Sequence, residues 1–178
     1  MTGRLTPTRR LTPTSDAADP LPSWSALVNV YQSVLHDVVA ALDQQAGIDS
    51  GVFSALAYLE RAGPPHRMPM SELQRSMHPR YSQPGFSRLV QRMEADGFVE
   101  RRVDRSDRRA TIIATTRAGR RQFRRANSIY IATLRTSFGR HLRASEHACL
   151  AAMLGRVTTR RGARARVATE SRQKADTR

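Results

Sequence analysis

The chain of 178 residues is long enough for one domain with an extension, and its composition is strongly basic. Its 30 Lys and Arg residues against 15 Asp and Glu residues give a formal net charge of +15, which favours a polyanionic partner but does not determine the fold. The single cysteine, Cys149, excludes an intrachain disulfide, and no apolar run reaches the roughly 18 residues of a membrane span or forms a signal-peptide core, so we expect a cytoplasmic protein with no membrane contact.

The positive charge is unevenly distributed along the chain. Residues 70–125 hold fourteen arginines and six acidic residues, a net of +8, and residues 160–178 hold seven basic and two acidic residues, a net of +5. Residues 23–69 have two arginines against four acids, a net of −2. The charge therefore concentrates on the central segment and on the C-terminal tail, although an arginine-rich composition is also typical of GC-rich genomes.

The N-terminal arm, residues 1–22, repeats the sequence RLTPT at 4–8 and at 10–14. Threonine and proline with so little apolar content cannot offset the entropy lost on ordering, so we predict a disordered arm. Its arginines could contact DNA, but an inert tail is the simpler interpretation.

A long first helix is predicted for residues 23–48, with Ser23 as its N-cap and Gly47 at its end. Its apolar residues recur every three to four positions: Trp24, Leu27, Val28, Tyr31, Val34, Leu35, Val38 and Leu42. This spacing indicates a broad apolar stripe along one face of a helix. We expect the stripe to take part in dimerisation, because a module this small does not bury it alone.

Residues 49–116 contain the signals of a winged helix-turn-helix. Asp49 or Ser50 caps a second helix that closes at Gly63-Pro64-Pro65. The later elements are a short helix near Met70–Met77, a turn at His78–Tyr81, a helix from Ser82 to Asp96, and strands at Val99–Val103 and Thr111–Thr115. The predicted fold is mainly α, with six helices and a two-stranded β-wing in a winged helix-turn-helix with an added helical dimerisation region.

The helix that Ser82 is predicted to cap, here called the reading helix, has two distinct faces on a 100° wheel. The inward face is apolar and consists of Phe86, Leu89, Val90 and Met93. The residues expected to contact DNA are Ser82, Gln83, Pro84, Ser87, Arg88, Gln91 and Arg92. Arginine can bond guanine through two hydrogen bonds and glutamine can bond adenine in the same way. The alternative is that these side chains only form the solvated face of an amphipathic helix.

The loop between the two strands, Asp104–Arg109, carries three arginines and two aspartates and is too charged to pack in a core. We expect Arg105, Arg108 and Arg109 to contact DNA there, with Asp107 orienting a neighbouring guanidinium by a bidentate pair. An arginine held at a hairpin tip suits the narrow, negative minor groove. Alone, such a loop could also be a solvated hairpin.

Two further helices are predicted for residues 117–159, one capped by Thr116 and one capped by Ser145. Their apolar positions are Phe123, Ala126, Tyr130, Leu134, Phe138, Cys149, Leu150, Met153, Leu154 and Val157. We expect these helices to join the first helix in a homodimer, and Cys149 to pack there as a small buried thiol. The apolar pattern stops at Arg160, so residues 160–178 are predicted to be a disordered basic tail.

These residues resemble the MarR family of bacterial transcriptional regulators over about residues 24–158. The resemblance is carried by S-R-L-V-x-R-M-E at 87–94, D-G-F-V-E-R at 96–101, D-R-S-D-R-R at 104–109 and T-x-x-G-R at 116–120. It implies a homodimer built from the N- and C-terminal helices, a reading helix in the major groove and a wing in the adjacent minor groove. It also implies a small-molecule or redox effector. Two features depart from the family pattern: the longer turn at His78–Tyr81, and Pro69 in place of a Ser or Thr cap.

Other site classes have weaker support. Tyr31, His36, Phe53 and Tyr58 are candidate lining residues for an effector pocket, although such residues are more often plain core. The five histidines lack the spacing of a zinc site. We see no nucleophile with its base and no glycine-rich phosphate loop, and we therefore predict no enzyme activity, no cofactor and no metal.

The sequence thus predicts a sequence-specific, DNA-binding transcriptional regulator that binds a pseudo-palindromic operator as a homodimer. A repressor is favoured, because a bound dimer can block polymerase without further contacts, and a small-molecule ligand could release it. The alternatives are a nonspecific architectural DNA-binding protein and a protein-interaction module or enzyme that reuses the winged fold. A regulator should prefer its site over random DNA by roughly 10³ or more.

Overall fold

The computed structural model describes residues 19–103 and 110–158. Within these residues the chain forms six α-helices and one small antiparallel sheet. The helices are α1 (Leu21–Ala41), α2 (Ser50–Arg61), α3 (Met70–Met77), α4 (Gln83–Ala95), α5 (Arg117–Ser137) and α6 (residues 144–158). The strands are β1 (Arg67–Pro69), β2 (Val99–Val103) and β3 (Thr111–Thr115). The mainly helical winged fold is the predicted one.

The sheet has three strands, not the two that the sequence predicted. β3 lies in the centre, with β2 and β1 on either side. In β1, Met68 lies opposite Ile113, and the N–H of Thr115 donates to the carbonyl of His66 at 3.0 Å. Three residues that include Pro69 show no alternating pattern in the sequence, so β1 exists only because β3 provides an edge for it to pair with.

Helix α1 begins at Leu21, two residues before the predicted cap Ser23. The Asp19 Oδ1 atom accepts the N–H of Leu21 at 3.0 Å, and the Ser23 hydroxyl lies inside the helix, donating to the Pro20 carbonyl. Pro22 fits in this first turn, because its missing N–H would have no partner there anyway. The helix continues into a π-helical turn, Leu42–Ala46, and ends at Gly47 with φ +66°, as predicted.

Contacts divide the chain into two units, one up to Ser33 and one from Val34 onward. In its described part the first unit consists of the beginning of α1. Its exposed large apolar side chains are Leu21, Trp24, Leu27, Val30 and Tyr31. The second unit contains all the other elements and the hydrophobic core.

The core lies where α2, α3 and α4 meet the sheet. Its fully buried side chains come from each of these elements: Leu56 and Leu59 of α2, Leu73 of α3, Phe86, Val90 and Met93 of α4, and Ile113 of β3. Leu89, the fourth residue of the predicted inward face of the reading helix, is buried as well, with only 3% of its surface exposed. The predicted inward face is therefore confirmed. This burial determines the rotation of α4 about its axis and so determines which side chains point outward.

The start of α5 is joined tightly to the end of α4. The Thr116 hydroxyl accepts the N–H of Gly119 at 3.0 Å, as predicted for a cap, and donates to the carbonyl of Gly97 at 2.6 Å. A Cβ atom at Gly119 would lie 2.0 Å from the carbonyl oxygen of Phe98, so only glycine fits at this contact. The start of α5 is therefore held against the root of the wing.

Helix α6 begins at residue 144, so Ser145 is not its cap as predicted. The Glu146 carboxylate instead accepts the backbone N–H of Arg143 at 2.7 Å, which is half of a capping box. Among the described helices, none combines the length and the apolar character that a membrane span requires.

Candidate nucleic-acid interface

The outward face of α4 is the centre of the candidate site. Ser82 caps the helix as predicted, accepting the N–H of Gly85 at 3.3 Å. The other side chains predicted to contact DNA are exposed, except that Ser87 is half-buried: Gln83, Pro84, Ser87, Arg88, Gln91 and Arg92. Because the opposite face is buried in the core, these groups are presented to solvent on the outward side of the helix.

The two arginines of α4 differ in their partners. Arg88 is exposed and has no hydrogen bond or ion pair within residues 19–103 and 110–158. Arg92, one helical turn further on, pairs through Nη2 with the Oδ2 atom of Asp49. Among the described residues, Arg88 thus keeps all its donors available at the centre of the outward face, whereas Arg92 is already engaged.

The turn before α4 is anchored to α2. The Tyr81 side chain lies so close to Gly51 that a Cβ atom there would be 1.9 Å from the tyrosine oxygen. Arg80 Nη1 donates to the hydroxyl of Ser54 at 3.4 Å. The long turn at His78–Tyr81 thus packs on the first turn of α2, a contact that no sequence pattern indicated.

The start of α3 has the proline that the sequence placed where a Ser or Thr cap is usual. Pro69 occupies the N-cap position, with φ −56°, and provides no side-chain hydrogen bond to the helix. Leu73 and Met77 are buried and hold α3 against the core.

The wing is formed by β2 and β3, whose bounds are the predicted ones. The two strands pair from Val99 opposite Thr115 to Val103 opposite Thr111. The hairpin tip, with Arg105, Asp107, Arg108 and Arg109, lies outside the described residues. On the strand that leads to it, Arg101 Nε pairs with Glu94 Oε2 of α4 at 3.1 Å, which links the wing to the end of the reading helix.

A pocket of about 410 Å³ lies between α2 and α5. Two of the predicted pocket residues, Phe53 and Tyr58, line it, whereas Tyr31 and His36 are exposed and do not. The remaining lining residues are Ser54, Ala57, Glu60, Arg61, Phe123, Asn127 and Tyr130. The Phe53 ring stacks on Phe123, with centroids 5.8 Å apart. Phe123 and Tyr130 were predicted as apolar positions of a dimerisation helix, and their seven-residue spacing on one helix face was the only sign that they could line one cavity.

Helix α6 also exposes apolar side chains. Met153, Leu154 and Val157 are 49%, 37% and 68% exposed. Cys149, which we expected to be buried, is exposed in the single chain. The expectation is wrong for the single chain because the apolar face of α6 is not covered by other parts of the described structure.

No cluster of three or more His, Cys, Asp or Glu side chains within the described structure is arranged to hold a metal ion.

Comparison with known proteins agrees with this geometry. Residues 46–110 match the model of the MarR family. No curated protein sequence shows significant similarity to the chain. Among solved structures, AbsC, a MarR family transcriptional regulator from Streptomyces coelicolor, is 26% identical, with a TM-score of 0.69 over 87% of this chain and 99% of that chain.

Two other similar structures contain DNA. Sco3205, a MarR family transcriptional regulator from Streptomyces coelicolor in complex with DNA, is 21% identical, with a TM-score of 0.68 over 80% of this chain and 90% of its own. A mutant MarR from E. coli complexed with operator DNA is 19% identical, with a TM-score of 0.61 over 79% and 99% of the two chains. At these identities the two structures show a shared fold. Residues 46–110 thus match the MarR family model, and the chain is similar in fold to MarR family transcriptional regulators.

Proposed function

We propose that this protein is a sequence-specific DNA-binding transcriptional regulator, acting as a repressor on a pseudo-palindromic operator. The observation that carries the proposal is Arg88, which is exposed and unpaired among the described residues at the centre of a helix face whose opposite side is buried. Two relatives of the same fold were crystallised with DNA, which supports DNA as the partner. We expect repression rather than activation, because a protein bound at a promoter blocks polymerase without needing further contacts.

In the proposed complex, α4 enters the major groove. Arg88 contacts a base edge, most simply a guanine, and Ser87 and Gln91 contact bases or phosphates beside it. The first turn of the helix, Ser82–Pro84, approaches the backbone, and the wing arginines enter the adjacent minor groove. Two copies of α4 in a two-fold dimer require half-sites roughly 10 bp apart.

This function is tested by selecting bound fragments from the source genome and searching them for a palindrome. A regulator should yield one motif and prefer it over random duplex by roughly 10³-fold or more. Fragments without a shared motif, bound with equal affinity, would support the architectural alternative that the net charge of +15 suggests.

We expect the protein to be a homodimer, because the start of α1 and the end of α6 each expose apolar side chains. Sedimentation at micromolar concentration should give about twice the chain mass of 19.9 kDa. Val157→Glu should shift the protein towards monomer, since it places a charge on the apolar face of α6. Ala152→Glu, on the other side of the same helix, is the matched control. A well-folded wild-type monomer at this concentration would contradict the dimer.

We expect the arginines of the wing to add affinity. Arg108→Ala, and similarly Arg105→Ala, should weaken DNA binding without lowering the melting temperature, because a loop this charged does not pack in a core. An arginine that binds phosphate should lose affinity evenly across sequences and reduce the salt slope by about one unit. Asp107→Ala should have a smaller effect in the same direction. Equal affinity of both arginine variants and wild type, measured by anisotropy, would make the wing a solvated loop.

We infer that the pocket between α2 and α5 takes an aromatic effector that releases DNA. Four aromatic rings line it, and the Arg61 guanidinium lies 5.7 Å from the centroid of the Tyr58 ring, where it could pair with an acidic ligand group. Aromatic carboxylates should displace labelled operator from wild type but not from Ala57→Trp, in which the indole fills the cavity. Equal displacement from both proteins would place the effector elsewhere.

A further inference from the structure

The Asp49 carboxylate has two partners, one on each oxygen. Oδ1 accepts the N–H groups of Gly51 and Val52 at 2.8 and 2.9 Å, as expected for an N-cap. Oδ2 pairs with the guanidinium of Arg92, which lies 43 positions later on the reading helix. One side chain therefore both starts α2 and holds the outward side of α4.

Two other contacts join the same end of α2 to the segment before the reading helix. Tyr81 packs over Gly51, and Arg80 donates to Ser54. With the ion pair, three contacts spread over residues 80–92 tie the turn and the reading helix to the first turn of α2.

The residues just before Asp49 are in turn held by α5. The Gln122 side-chain amide donates to the carbonyl of Ala46 at 2.6 Å, and Arg125 Nη2 donates to the carbonyl of Gln45 at 2.7 Å. Residues 45–54 thus form a junction, with α5 on one side and α4 on the other. Arg92 is the only residue of α4 with an ion pair to this junction within the described structure.

This engagement conflicts with the role that Arg92 was expected to have. A guanidinium paired with a carboxylate has one side of its donor fork occupied. Arg88 has no such partner among the described residues. Among the described residues, the outward face of α4 therefore contains one arginine without a partner, Arg88, and one that already pairs with a carboxylate, Arg92.

We propose that Arg92 is a positioning residue, which acts through Asp49 to set the angle of the reading helix against α2 and so the half-site spacing that the dimer accepts. The proposal rests on the proposed function. A 13-residue helix is roughly 20 Å long. A tilt of roughly 10° about one end would displace the other by about 3 Å, more than base recognition tolerates.

The ion pair has little importance for overall stability. The two side chains are 54% and 43% exposed, and exposed pairs of this kind contribute little to the free energy of unfolding. Loss of the pair should leave the core intact and change mainly the orientation of α4. A variant that loses operator affinity but keeps its melting temperature would therefore report on the position of α4 and not on folding.

The test is a double-mutant cycle on the full chain with Asp49→Asn and Arg92→Gln. Asparagine caps helices about as well as aspartate, so Asp49→Asn removes the charge pair and keeps the start of α2. Each variant and the double variant are titrated with the operator, with operators whose half-sites are moved together or apart by one base pair, and with random duplex at several salt concentrations. Arg92→Lys is included because lysine can still pair with Asp49.

If Arg92 acts through Asp49, each single variant should lose about three- to ten-fold in operator affinity, and the double variant should lose no more than either. The preference for one half-site spacing should weaken in all three variants. Arg92→Lys should recover most of the affinity and spacing preference. Binding to random duplex and the salt slope should stay as in wild type, and so should the melting temperature.

Direct contact between Arg92 and phosphate would give a different result. Asp49→Asn would then keep or increase affinity, while Arg92→Gln would reduce the salt slope by about one unit on all duplexes, with additive effects. That result, or affinity and spacing preference unchanged in every variant, overturns the proposal.

Arg88→Ala is titrated in parallel: if it loses operator preference while the Asp49 and Arg92 variants do not, only this inference fails. A wild type without operator preference would overturn the proposed function as well.

Discussion

Phe86→Ala should lower the free energy of unfolding by about 3–5 kcal/mol. The Phe86 ring is fully buried on the inward face of α4, packed in the core shared by α2, α3 and the sheet. Removing it leaves a cavity that the neighbouring side chains can only partly fill. The measurement is chemical denaturation, with thermal melting as a second readout.

The matched control for this variant is Arg88→Ala, two positions along the same helix. Arg88 is exposed and unpaired in the described structure, so its replacement should change the stability little. If Phe86→Ala were as stable as wild type while Arg88→Ala unfolded, the rotation of α4 described above would be wrong.

Arg88→Ala should weaken binding to the specific operator by about 1–3 kcal/mol, or roughly 5- to 150-fold. The physical reason is that a bidentate contact to a base edge is lost and its acceptors are left without a partner. On random duplex, where no such contact forms, the loss should be much smaller. Titration of the same variant against both duplexes gives the two values.

Gln83→Ala provides a comparison on the same helix, since Gln83 is exposed at the first turn, where backbone contacts are expected rather than base contacts. We expect it to lose affinity to a similar degree on both duplexes. If Arg88→Ala instead lost affinity equally on both duplexes, Arg88 would contact phosphate, and other residues would have to recognise the base sequence.

The elements of the winged segment could be predicted because each has a strong local cause. Ser82 and Thr116 are caps in the sequence and in the structure, and both strands of the wing have the predicted bounds. The face of α4 followed from four apolar positions at helical spacing, all of which are buried. Periodicity and capping are properties of a few neighbouring residues and can be read from the sequence directly.

The elements that were missed depend on distant residues. β1 has only three residues and exists through its pairing with β3. The starts of α1 and α6 were misplaced because Asp19 and Glu146, rather than the serines chosen, accept backbone N–H groups at these helix starts. Where several polar residues near a helix start can serve as the cap, the local sequence does not decide among them.

What the sequence determined by itself was the kind of module and the outward position of Arg88, since both follow from local periodicity, capping and charge. Only the tertiary structure decided that Arg92, on the same exposed face, is held by Asp49, and that Phe123 and Tyr130 line a pocket with Phe53 and Tyr58. Asp49 and Arg92 are 43 positions apart, and no local pattern records which of two arginines one turn apart meets a distant carboxylate. The contact forms because the buried face of α4 fixes the rotation of the helix about its axis, so the partner of each outward side chain depends on how the core packs.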